Sequence, residues 1–202
     1  MLVGYDKLSG RWYFDTAAGK NEILARRMGK NELTAIDTVQ ALAHAQHQYF
    51  SEARGGTVKQ YAQKFISDQG QQNGLYWSAA NGQTPSPLDR FGDFVNAQTA
   101  AGNSEPEFNG YRYRLLDKSE TPGGLKDFVV DGKMTGGFAI LAYPNEYGNS
   151  GIMSFLIGPD GTVYQKDLGE RSANVGANIS TYNPADGWTP VSASIASASP
   201  RQ

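Results

Sequence analysis

The stretch from Gly136 to Leu168, GGFAILAYPNEYGNSGIMSFLIGPDGTVYQKDL, constrains the fold more tightly than any other part of the chain. The run Phe138 to Tyr143 is apolar and stops at Pro144, which has no N–H for a strand ladder. A Gly-rich turn, Tyr147 to Gly151, leads into a second apolar run, Ile152 to Ile157. Gly158-Pro159-Asp160-Gly161 then reverses the chain into Thr162-Val163-Tyr164, with Pro and Gly where a type I turn favours them. Three short strands joined by tight turns form a meander, which is antiparallel by construction.

The rest of the chain supplies helices to cover it. Asp15 and Thr16 can each cap a helix running to about Met28, which Gly29 ends or kinks. Asn31 is placed to cap a second helix, Glu32 to Glu52, in which Ile36, Val39, Ala43 and Phe50 recur as one apolar stripe. That helix is about 30 Å long, and Gly55-Gly56 stops it. Val58 to Ile66 reads as a short helix presenting Tyr61 and Phe65. Gly74-Leu75-Tyr76-Trp77 is a packed aromatic segment, and Ser86-Pro87 opens a helix that carries on to about Ala101. Gly102 to Asn109 reads as a loop. Tyr111, Tyr113 and Leu115 alternate with Arg112 and Arg114 as a fourth strand. Together these predict an α+β fold, a long N-terminal helix on an antiparallel sheet of about four strands.

With 202 residues there is room for one domain with a real core. The expected organisation is a hairpin remnant of an upstream region at 1–15, a single domain at 16–191 and a Ser/Ala-rich tail at 192–202. The hairpin, Leu2 to Phe14, is expected to fold back with Trp12 and Phe14 filling a groove. After Gly169 periodicity is lost, though Tyr182, Trp188 and Val191 suit an ordered flap. A net charge of −2 with no basic run argues against a general nucleic-acid binder. The absence of cysteine rules out disulfides, thiolate metal sites and a Cys nucleophile. No run approaches the roughly 20 apolar residues of a membrane span.

Chemistry-bearing patterns are sparse. His44 and His47 stand three apart on the long helix, without a carboxylate at a spacing that would complete a metal site. Asp89 and Asp93 share a helix face, and Glu105 and Glu107 share a loop, but neither pair straddles a cleft as glycoside hydrolysis requires. Asp131-Gly132 and Asp160-Gly161 are turn residues. Gly148, Gly151 and Gly158 link strands and form no phosphate cradle, and Gly148-Asn149-Ser150-Gly151 lacks nucleophile-elbow spacing. Tyr143, Tyr147, Tyr164, Tyr182 and Trp188 are the candidate ligand surface, with core packing as the competing role for such rings.

Several segments in order, Gly10-Arg11-Trp12-Tyr13-Phe14-Asp15-Thr16-Ala17-Ala18-Gly19-Lys20, Arg27-Met28-Gly29, Asn31-Glu32, Gly74 to Trp77, Gly110 to Tyr113 and the meander, resemble the bacterial family known as domain of unknown function family 2950. The resemblance runs from about Gly10 to Val191. It implies a secreted or periplasmic envelope protein whose signal peptide and upstream region precede this chain, and it brings no catalytic residues. A weaker resemblance, in the long helix and the turns from Tyr143 to Tyr164, is to type IV pilin and pseudopilin heads. The chain lacks their apolar N-terminal half-helix, so only a pilin-like fold is implied. The reading that follows is a non-catalytic envelope domain acting by binding or assembly. It needs no cofactor or metal, and its partner would be another envelope protein or a cell-wall component, with neither nucleic acid nor membrane insertion. The alternatives are a hydrolase whose site is assembled across the fold and a structural partner of the upstream segment.

Overall fold

A computed structural model describes residues 3–6, 10–52, 58–79, 84–100 and 107–192. The Gly55-Gly56 stop, Glu105 and all of the tail beyond residue 192 lie outside them. The chain opens with strands β1 (Val3–Asp6) and β2 (Arg11–Phe14), paired with each other. Helix α1 spans Thr16–Ser51 and helix α2 spans Gly92–Ala100. Then come β3 (Glu107–Phe108), β4 (Tyr111–Leu116), β5 (Lys118–Thr121), β6 (Gly124–Asp127), β7 (Val129–Val130) and β8 (Lys133–Met134). The meander follows as β9 (Ala139–Pro144), β10 (Met153–Ile157) and β11 (Val163–Asp167), and the chain closes with α3 (Ser172–Asn178) and β12 (Thr189–Pro190).

The fold is α+β. Its main sheet has the order β12-β11-β10-β9-β4-β3, antiparallel throughout. The four expected strands form its centre, and two-residue strands at either edge bring it to six. Edges this short offer little ladder to a stray chain. Both predicted Asp-Gly turns are present. Asp131 and Gly132 have φ of 50° and 73° between β7 and β8, and the Gly161 N–H bonds the Gly158 carbonyl at 3.1 Å. Asn109 and Gly110, at φ of 51° and 79°, make a further tight hairpin between β3 and β4 where a loop was expected.

The continuous apolar run of β9 has a simple cause: all six of its residues are buried, because both faces of the strand are covered. Helix α1 lies against β9 and β10, and α3 packs on β9. Tyr143 points toward α3, which approaches so closely at Gly176 that a Cβ there would sit 2.4 Å from the ring. The Arg114 guanidinium donates to the carbonyls of Gly176 and Ile179, each at 3.0 Å, closing the C-terminus of α3. The predicted flap after Gly169 is therefore ordered.

Helix α1 corrects the two-helix expectation. Asp15 caps it, its side chain accepting the Ala18 N–H at 2.9 Å, but the helix runs through Gly29 and Asn31 without a break. A Cβ at Gly29 would meet nothing within 4 Å, so neither packing nor a turn explains that glycine. The stripe is as predicted at Ile36, Val39 and Ala43, all buried, with Leu42 and Tyr49 joining it. Phe50 is half-buried and stacks on Tyr61 at 4.4 Å between centroids. Residues 58–66 are not helical. The Gln46 amide accepts the Ala62 N–H at 2.9 Å and donates to the Ala62 carbonyl at 2.8 Å, holding that segment extended. Pro87 to Arg90 form a turn rather than the first turn of α2, which begins at Gly92. Trp12 fills no groove: it is 71% exposed and packs against Tyr5 across the hairpin at 4.9 Å.

Candidate functional site

Two places on α1 gather polar side chains, and they differ in what those side chains do. The first is a seam between α1 and the turn from β9 to β10. Arg27, Asn31 and Glu32 lie on adjacent turns of one helix flank. The Arg27 guanidinium donates to the Asn149 carbonyl at 3.2 Å and also to the Asn149 side-chain oxygen. Asn31 Nδ2 donates to the Ser150 carbonyl at 2.9 Å. Glu32 Oε1 accepts the N–H groups of Ile152 at 2.9 Å and Met153 at 3.1 Å. The Tyr111 hydroxyl donates to the Met153 carbonyl at 2.8 Å. Burial pushes this phenol well above its usual range, and the neighbouring Glu32 carboxylate adds to the rise.

The turn itself is cross-braced. Ser150 Oγ accepts the Glu146 N–H at 2.9 Å, Asn149 Nδ2 donates to Glu146 Oε2, and Asn145 Nδ2 donates to Glu107 Oε2 at 2.7 Å. Space is tight enough that a Cβ on Gly151 would fall 2.1 Å from the Tyr111 oxygen. A polar cavity of about 260 Å³ remains, lined by Arg27, Asn31, Glu107, Asn145 and Glu146 among others. Nearly every charged or amide group here already holds backbone or another side chain, which is how a structural clasp is made.

The second place is a groove between α1 and the segment 84–91. Ala41, His44 and Gln48 recur at helical spacing along one wall, and Pro85, Pro87, Leu88, Asp89, Arg90 and Phe91 form the other, enclosing about 690 Å³. The second wall is positioned by the Leu88 N–H on the Leu75 carbonyl at 3.2 Å and by Trp77 Nε1 on the Thr84 carbonyl at 3.2 Å. Leu88 is buried, and Phe91 packs on Phe94 and Phe108. The floor is thus apolar. On the rim, His44, Gln48, Asp89 and Arg90 are exposed, and none of these side chains has a hydrogen bond or ion pair among the described residues. An apolar floor with a few uncommitted polar groups is the usual composition of a ligand site.

The other predicted residues fall in several places. His47 leaves the groove to His44 and sits edge-on to Phe138 and Tyr61, at 5.4 and 6.1 Å. Asp93 is in the exposed first turn of α2. Among the five aromatic candidates, Tyr143 is fully buried and Trp188 is 9% exposed. Tyr147 is partly exposed and donates to Asp167 at 3.1 Å. Tyr164 and Tyr182 are also partly exposed, and the Tyr182 ring covers Gly158. Sequence reasoning passed over Gln48 and Arg90. The available signals were the i,i+4 step from His44 to Gln48 and a charged pair directly after Pro87-Leu88. Of the seam residues, Asn31 was expected to cap a helix and Tyr111 to sit in a strand, while Arg27 and Glu32 stood only as parts of motifs.

No curated protein and no solved structure matches the chain, so the pilin-like likeness has no structural counterpart beyond a long helix ahead of an antiparallel sheet. The six segments that carried the family resemblance, with the seam residues Arg27, Asn31, Glu32, Gly110 and Tyr111 among them, lie within one continuous match. Over residues 3–191 the chain fits the model of the family described as protein of unknown function (DUF2950), and it belongs to that family.

Proposed function

We propose that this is a non-catalytic domain of the bacterial envelope, periplasmic or secreted, that acts by binding or assembly, and that the groove beside His44 is where it takes hold of its ligand. One observation carries the reading: the uncommitted polar rim of His44, Gln48, Asp89 and Arg90 above the floor of Leu88 and Phe91. The seam supports it from the other side, since its polar groups are engaged in holding a turn and are not arrayed around an open reacting centre. The partner is another envelope protein or a cell-wall component, and the accessible parts of Tyr147, Tyr164 and Tyr182 offer that partner a secondary surface.

A fragment screen read by amide chemical shifts tests this directly. Hits should move the resonances of residues 84–91 and 41–48 and should be lost in Leu88→Arg. Hits that map elsewhere, or none at all, would reject the groove. The rival reading, a hydrolase, is favoured by His44 and Asp89 lining the same cavity. Turnover of chromogenic ester, phosphate or glycoside substrates that disappears in both His44→Ala and Asp89→Asn would establish that rival instead. Localisation is checked by fractionating source cells that express the full-length tagged protein.

A further inference from the structure

The N-terminal arm differs from the body in charge and in exposure. Residues 1–30 carry six Lys and Arg against three Asp and Glu, a balance of +3, whereas the rest of the chain carries twelve against seventeen, a balance of −5. Of the eight large apolar side chains exposed among the described residues, four belong to this arm: Val3 at 52%, Tyr5 at 50%, Trp12 at 71% and Ile23 at 70%. Tyr5 and Trp12 form one aromatic pair on the hairpin. On α1, Lys20, Ile23, Arg26 and Lys30 recur at steps of three and four, which sets them on one exposed flank. Arg26 is partly neutralised by Glu22 at 2.7 Å, while Lys20 and Lys30 have no ion pair among the described residues.

We propose that strands β1 and β2 and the first turns of α1 form a docking surface for an anionic lipid bilayer, with Trp12 and Tyr5 seated at headgroup depth and Lys20 and Lys30 against the lipid charge. The chemistry fits on both counts. Trp and Tyr favour the membrane–water interface because their rings are apolar with one polar edge. Basic side chains near an anionic leaflet each contribute about fivefold to partitioning. No described helix is long and apolar enough to cross a membrane, so the arm lies on the surface and does not insert. An acidic protein face or a second copy of this chain would also bury a Trp–Tyr pair, but protein interfaces are depleted in Lys, whereas Lys beside interfacial aromatic rings is what an anionic bilayer favours. The proposal is independent of the groove.

The test is flotation of the full chain with vesicles of phosphatidylcholine alone and of phosphatidylcholine mixed with phosphatidylglycerol. Trp77 and Trp188 are buried, so a blue shift in tryptophan emission on binding reports Trp12. We expect binding to the mixed vesicles only, weakened by salt. Trp12→Ala should lower the partition coefficient about tenfold, and Lys20→Glu with Lys30→Glu should abolish binding. All three side chains are exposed, and unchanged melting confirms that the variants fold. Equal binding to both vesicles, binding to neither, or binding indifferent to these variants would overturn the proposal. So would a dimer, seen by light scattering, that the same variants dissolve.

Discussion

The same helix treats its polar residues in opposite ways at two places along its length. At the seam, Arg27, Asn31 and Glu32 are consumed by the backbone of residues 149–153. At the groove, His44 and Gln48 face Asp89 and Arg90 without bonding anything described. The chemistry of the residues does not separate the two places, since each has acid, base and amide. What separates them is whether a partner chain segment is already present. A polar cluster that satisfies itself stabilises a turn, while one that does not is available to something from outside. The presence of carboxylates and cations together is therefore a poor guide to function until their partners are known.

That contrast can be broken most severely at the seam. Gly151→Ala would drive a methyl into the Tyr111 hydroxyl and strain its bond to Met153; we expect a loss of about 3 kcal/mol by denaturant titration. A mutant as stable as the parent would mean that the turn is loosely held. Next, Glu32→Ala leaves two N–H groups without their acceptor and should cost about 2 kcal/mol, whereas Glu32→Gln, which keeps an acceptor oxygen, should cost under about 1 kcal/mol. Equal losses would show that the carboxylate does not hold that backbone.

Alkali offers a third route. Burial raises the Tyr111 and Tyr113 phenols above their unfolded value near 10, so the folded state keeps protons that the unfolded state releases. Stability from this source is complete below about pH 10 and falls above it by about 1.4 kcal/mol per pH unit for each phenol. Melting temperatures measured from pH 8 to 11 should show the decline, and Tyr111→Phe should make it shallower; a flat profile would contradict the burial. The smallest effects belong to the groove. His44→Ala, Asp89→Asn and Arg90→Gln should each change stability by less than about 0.5 kcal/mol while altering ligand binding. A large destabilisation by any of them would turn the groove into a second clasp and erase the contrast.

The parts of this molecule that were legible from sequence are those fixed by local chemistry. The meander was readable because Pro144, Pro159-Asp160-Gly161 and the Gly148–Gly151 turn dictate backbone geometry within a few residues. The buried stripe of Ile36, Val39 and Ala43 was readable because helical period is local too. Gly29 and Asn31 misled for a complementary reason. Their local preference is for a helix boundary, but Asn31 uses its amide on Ser150, more than a hundred residues away, and the helix continues. Residues 58–66 have helical spacing, yet Gln46 takes the Ala62 backbone as a strand would. The groove was hidden because its walls, 41–48 and 84–91, are brought together by bonds such as Leu88 to Leu75 that no periodicity announces. The cross-strand exposure of Trp12 was misjudged because an aromatic residue in a strand is ordinarily covered.

Helix α1 also fixes a distance. Its 36 residues form a rod of about 54 Å, anchored from the seam at Arg27 onward and bearing the basic, aromatic arm at its start. Ile23 and His44 are separated by about 30 Å along the axis. With the arm resting on a surface, the groove lies that far along the helix from the point of attachment. Inserting whole helical turns just ahead of Arg27 would change that separation without touching the walls of the groove or the seam, making reach itself a property that can be measured.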